Sequence, residues 1–162
     1  AQHMPVSSFY FTNLPENFRE SALLDRFPCF IEGWILPRVD KSMIFKGWTI
    51  NVEYFSEILH TMRTQNTYGL LFDQLVRFEE KADVRDSNAV KRIATAYMKL
   101  LFPHWQRTED VNEEEFKIYC LDPAIHRRGI VKEQCYNIDP EFKSRMPHVE
   151  VVQKGFTDNK LF

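Results

Sequence analysis

Glycine is scarce in this chain, with five residues in 162. None falls in the G-x-x-x-x-G-K-[ST] pattern whose backbone N–H groups and lysine cradle phosphates. The dinucleotide fingerprint and the G-x-S-x-G nucleophile elbow are also missing. Cysteine is sparse too. Cys29, Cys120 and Cys135 are far apart and odd in number, which argues against a disulfide framework and for a reduced, cytoplasmic setting. Zinc would need clustered ligands. Cys120, His126 and Cys135 come nearest, at a spacing that matches no ligand pattern, so neither a metal nor a cofactor is expected. No apolar run approaches the roughly 18 residues of a membrane span. No basic stretch followed by an apolar one stands at the start. A net charge of −2 gives no global pull towards nucleic acid or an anionic membrane.

What is present suits one domain with room for a core. Apolar residues make up 44% and charged residues 27%. Aromatics reach 14%, and 14 of them are Phe, so much of this area is either core or an interface. Ala1-Gln2-His3-Met4 reads as a cloning remnant. Residues 5–49 are mixed. Ser7 to Leu14 is aromatic and suits an extended segment. A helix over 15–27 is expected from Pro15 at its first turn, the spacing of Phe18, Ala22, Leu23 and Phe27, and the stop at Pro28. Cys29 to Leu36, short and apolar on both faces before Pro37, reads as a strand that needs cover on both sides.

Helical periodicity dominates 50–137. Asn51 can cap a helix over 51–64 with Val52, Phe55, Ile58, Leu59 and Met62 on one stripe. Leu71, Leu75 and Phe78 mark a second helix over 69–80. Ala89, Ile93, Tyr97 and Leu100 mark a third over 86–102, capped by Asp86 or Ser87 and ended by Pro103. A last helical stretch runs over 112–137 from Asn112, with Pro123 either kinking it or starting a new helix. His148 to Val152 suits a short strand, and 138–162 forms a tail whose last residues are loose. The expected fold is mainly α: a helical bundle with a small β element from the N-terminal third, to which the C-terminal tail can add a strand. The basic pair Arg127-Arg128, with Lys132, either touches phosphates or DNA or forms a solvated helix face.

One run is more specific. Leu14-Pro15-Glu16-Asn17-Phe18-Arg19-Glu20-Ser21-Ala22-Leu23-Leu24-Asp25-Arg26-Phe27, followed by Phe30-Ile31-Glu32-Gly33-Trp34-Ile35-Leu36-Pro37-Arg38, resembles the arginine-finger region of AAA+ proteins. Trp48 to Arg63 is similar to the first helix of the AAA+ lid. Val84-Arg85-Asp86 running into Ala89-Val90-Lys91-Arg92 is similar to the lid helix that carries the sensor-2 arginine. Leu100-Leu101-Phe102-Pro103-His104 and Arg127-Arg128 with Val131-Lys132-Glu133-Gln134 fit the helices after the lid. In this order they resemble the Lon-related proteins of bacterial BREX phage-defence systems (BrxL type) and, more distantly, the MCM helicases.

The resemblance implies that Arg26 reaches a nucleotide held by a neighbouring subunit. It also implies that Arg85 contacts phosphates in its own subunit. A guanidinium suits both tasks, being always charged, planar and able to bond two phosphate oxygens. Alternatively Arg26 pairs with Asp25 or Glu20, and Arg85 with Asp86. Both arginines are expected to face solvent and add little to stability. Walker A, Walker B and the Ser–Lys protease dyad of such relatives are missing here, and Pro123 falls where their helix runs on. These departures imply a chain without catalysis of its own: a truncated relic, an excised piece or an interaction module, comprising an AAA+ core remnant (5–49) and a helical lid with the helices that follow it (50–137). The alternative is a stand-alone helical protein- or DNA-binding module. The open edge of the 29–36 strand implies a homodimer through the aromatic N-terminal third, or pairing with other AAA+ subunits.

Overall fold

Asn51 starts the first long helix as the sequence leads one to expect. Its side chain accepts from the N–H groups of Glu53 (2.8 Å) and Tyr54 (3.2 Å), satisfying two donors that the helix itself cannot. The computed structural model describes residues 9–11 and 14–152. Its elements are α1 (Ser21–Leu24), α2 (Val52–Arg63), α3 (Thr67–Leu75), β1 (Val76–Phe78), α4 (Val84–Leu101), α5 (Glu113–Phe116), a π-helical turn (Lys117–Leu121), α6 (Asp122–Ile138) and β2 (Val149–Val151). The fold is mainly helical with one small antiparallel sheet.

The main core forms where α3, α4 and α6 meet. Val90, Ala94 and Met98, one helical turn apart, put the buried stripe of α4 against Tyr68, Leu71, Phe72 and Leu75 of α3 and Ala124 of α6. Phe116, Cys120 and Leu121 close the other side. Beyond α4 the chain turns at Pro103. Trp105 is buried there and stacked on Phe102 at 3.9 Å, and the Tyr68 hydroxyl donates to the Pro103 carbonyl (2.9 Å). A smaller core joins Phe11, Leu24, Val131 and Cys135. It seats α1 on α6.

Several expectations change here. The helix expected over 15–27 is a 3-10 turn (Glu16–Phe18) followed by the four-residue α1. Cys29 to Leu36 is not a strand. It is irregular with a 3-10 turn over Gly33–Ile35, and its aromatics pack on each other: Tyr10 stacks on Phe30 (5.3 Å) and meets the edge of Trp34 (4.8 Å). Tyr10 and Phe11 form a turn rather than an extended segment, while residues 1–8, 12–13 and 153–162 lie outside the described part. The second helix stops at Leu75, because Val76-Arg77-Phe78 pairs with the tail: Val76 faces Val151, Arg77 faces Glu150 and Phe78 faces Val149. The β element therefore comes from the middle of the chain and the tail, and no described residue of the N-terminal third joins it.

The helix expected from 112 behaves differently. Asn112 does cap it, accepting from Glu114 N–H (3.0 Å) and Glu115 N–H (3.1 Å). Pro123 stands in the first turn of α6, which follows directly on the π-helical turn, as expected of a proline that starts a new helix. A proline ring collides with the carbonyl four residues back, here Tyr119. The wide π turn over Lys117–Leu121 lies at that carbonyl and loosens the ladder where the ring must fit. The helix then continues to Ile138.

Candidate functional site

Arg85 stands in the first turn of α4, one turn earlier than expected because Asp83, rather than Asp86 or Ser87, caps the helix. The Asp83 carboxylate accepts from the Arg85 N–H (2.7 Å). The Arg85 side chain then reaches across to α1, where Nη1 donates to Asp25 Oδ2 at 2.7 Å. Asp25 is the residue just before Arg26, so the structure ties the two motif arginines together through it.

The other oxygen of Asp25 is held from the interior. Arg128, on α6, is 1% exposed. Its Nη2 donates to Asp25 Oδ1, and its Nη1 to the carbonyls of Asp25 and Phe27 (2.9 Å each). Its Nε donates to Asp86 Oδ1 (2.8 Å), and Lys132 completes Asp86 from one turn further along α6. A buried charge is tolerated only when paired and hydrogen-bonded, and Arg128 meets that condition with four bonds. Neither Arg128 nor Lys132 lies on a solvated face, since both spend their charge on buried carboxylates. Arg127 is half-buried, with its Nε on the Tyr97 hydroxyl (2.7 Å).

Arg26 is exposed, and among the described residues it makes no ion pair, with Asp25 or with Glu20. It sits between two residues whose carbonyls both accept from Arg128. Electrostatics fits the geometry. Burial would raise the Asp25 pKa, but hydrogen bonds from Arg85 and the charge of Arg128 outweigh it and hold the carboxyl below the usual range. The same pairing raises Arg85 further. Asp25, Arg85, Asp86 and Lys132 line a cleft of about 660 Å³, rimmed by Lys81, Asp83, Lys143 and Arg145. Burial pushes the thiols of Cys120 up to about 12 and of Cys135 up to about 11. The two sit in different cores, and among the described residues no group of His, Cys, Asp and Glu is placed to hold a metal ion.

Asp25 and Asp86 were legible only as local partners of their neighbours in sequence. One signal for the network was present. Ala124, Arg128, Val131 and Cys135 share one face of α6, so an arginine occupies the apolar stripe itself.

A mainly helical fold with a carboxylate-linked pair of arginines beside a cleft is the setting in which the family relation has meaning. The family model for the Lon-like protease BrxL-like ATPase domain matches residues 1–148, and the chain belongs to that family. It is 26% identical over 120 residues to the Lon-like protease BrxL of Escherichia coli O9:H4 (strain HS), a match covering 74% of this chain and 16% of that protein. It is 26% identical over 133 residues to the Lon-like protease BrxL of Bacillus cereus (strain H3081.97), covering 82% and 19%. The chain thus spans less than a fifth of the length of these relatives. No helix among the described residues is long and apolar enough to cross a membrane.

Proposed function

We propose that this chain supplies the arginine-finger and lid part of a Lon-related ATPase of phage-defence type, and that alone it catalyses neither ATP hydrolysis nor proteolysis. In this reading Arg26 completes a site on a neighbouring AAA+ subunit, and Arg85 meets phosphates in its own. The observation that carries it is the contrast at α1: Arg26 is exposed, while Arg128 holds the carbonyls on either side of it. A guanidinium aimed outward from a fixed backbone suits charge stabilisation across an interface. The sequence offers no phosphate loop to go with it. Calorimetric titration of the chain with ATP and magnesium is expected to show no binding tighter than millimolar. A micromolar site would overturn the proposal.

The second reading, a stand-alone helical protein- or DNA-binding module, draws on α2. None of its residues is buried, yet it keeps the apolar stripe of Val52, Phe55, Ile58 and Leu59. The same exposed stripe supports self-association as a homodimer. No strand edge forms at 29–36, so the surface for self-association is this helix and the apolar loop before it, where Phe45 and Trp48 are exposed.

A further inference from the structure

Asp25 divides its two oxygens. Oδ1 belongs to buried Arg128, while among the described residues Oδ2 accepts only from Arg85. Arg85 is loosely engaged by comparison. Its side chain is 50% exposed, it donates through Nη1 alone, and it lines the cleft. The rest of its fork has no partner among the described residues.

We propose that Asp25 is an internal counter-ion that a phosphate group must displace from Arg85, while Arg128 keeps hold of Asp25. The exchange leaves no carboxylate stranded, because Asp25 remains bonded to a fully buried guanidinium and to nothing that has to move. It does release α4 from α1, since the Arg85–Asp25 bond is a direct side-chain tie between them. Asp86 keeps α4 on α6 through Arg128 and Lys132, so the freed end is the first turn of α4. Occupancy of Arg85 by phosphate and the tie of α4 to the segment carrying Arg26 thereby become alternatives, while Arg128 holds that segment in both states. This deepens the function proposed above and rests on its assignment of Arg85 to phosphate.

Charge around the cleft sets the strength. Within the network three cations (Arg85, Arg128, Lys132) face two carboxylates. Around it, Lys81, Lys143 and Arg145 are balanced by Glu79, Asp83 and Glu141. A nearly neutral rim means weak capture of a free anion. A half-exposed ion pair is itself weak, and a phosphate offering two oxygens to the fork competes with it.

The test is NMR of the arginine Nε signals during titration with inorganic pyrophosphate, on the native chain and on Asp25→Asn, Arg85→Gln and Glu141→Gln. In the native chain the Arg85 signal is expected to shift with a millimolar midpoint, and Arg85→Gln should abolish the site. Asp25→Asn, whose Oδ1 can still accept from Arg128, should tighten binding about fivefold, as expected from removing a competitor of this strength. Glu141→Gln, which removes a rim charge without touching Arg85, should change it less than about twofold. Equal tightening in the two variants would show a mere charge effect and overturn the exchange, leaving Arg85 as a phosphate contact. An Arg85 signal that never moves would overturn both. Should Asp25→Asn fail to fold, the Asp25 carboxyl carbon in the native chain decides. It must respond at the same midpoint as Arg85, and its silence while Arg85 responds would sink the proposal.

Discussion

The three arginines around Asp25 differ in what they contribute to stability. Arg26 is exposed and makes no ion pair among the described residues, so Arg26→Ala should change stability by no more than about 0.5 kcal/mol. Arg85 was also expected to face solvent freely, but half of it is covered and bonded to Asp25. Its loss should cost more than that of Arg26 and far less than that of Arg128, because solvent screens a half-exposed pair. Arg128→Ala leaves Asp25 and Asp86 buried beside an empty space and should cost about 3–5 kcal/mol. Urea denaturation of the three variants should return that order, and a cheap Arg128→Ala would refute the account of the network. Asp25 also ties stability to pH. Its folded pKa lies below the ordinary value, so its contribution is complete above about pH 4 and disappears as pH falls through the folded value. Asp25→Asn should be destabilised at pH 7 yet lose less stability than the native chain between neutral pH and pH 3, as followed by chemical denaturation.

Among the elements, α2 and α3 both carry an apolar helical stripe and meet opposite fates. α3 buries Tyr68, Leu71, Phe72 and Leu75, whereas α2 buries nothing. Phe55→Ser and Ile58→Ser are therefore expected to change the stability of the monomer by about 0.5 kcal/mol or less. Leu71→Ala should cost about 2–5 kcal/mol through the lost transfer energy and the cavity. Large losses at Phe55 and Ile58 would show that α2 is covered by its own chain. The β1 segment shows why sequence pattern misjudged one boundary. Leu71, Leu75 and Phe78 recur at helical spacing, but Val76-Arg77-Phe78 also alternates as a strand does. The partner that settles it, Val149–Val151, lies in the tail. Leu75 C=O then accepts from Val152 N–H at 2.8 Å, so the pairing extends beyond the strand proper.

For the whole molecule, the apolar surface is uneven. Ile44, Phe45, Trp48, Ile50, Val52 and Phe55 are exposed within a dozen residues, and Trp48 is 100% exposed. Surface of that kind seeks a partner. Light scattering after size exclusion at micromolar concentration is expected to give a dimer, and Phe55→Ser should weaken it. A clean monomer would remove self-association and leave the exposed apolar surface to a different partner. The aromatic cluster of Tyr10, Phe30 and Trp34 is less available than the sequence implied, because its rings pack on one another.

What the sequence determined by itself was local. Asn51 and Asn112 cap helices because an Asn side chain reaches donors two and three residues ahead. Pro103 follows the end of α4 because it cannot continue the helix. The stripes of α3 and α4 follow from a period the chain carries with it. The order of short motifs was enough to indicate the family. Tertiary structure decided the rest. Cys29 to Leu36 looked like a strand from its apolar run, but a strand exists only with a partner, and none pairs with it among the described residues. Arg128 and Lys132 looked like a basic surface, yet they turn inward because carboxylates 103 and 46 residues away meet them. Arg85 finds Asp25 across 60 residues rather than its neighbour Asp86. Caps and periodicity are settled within one or two helical turns. Charge pairing and strand pairing depend on which distant groups the packed core brings within about 3 Å, and no short stretch of sequence contains that information.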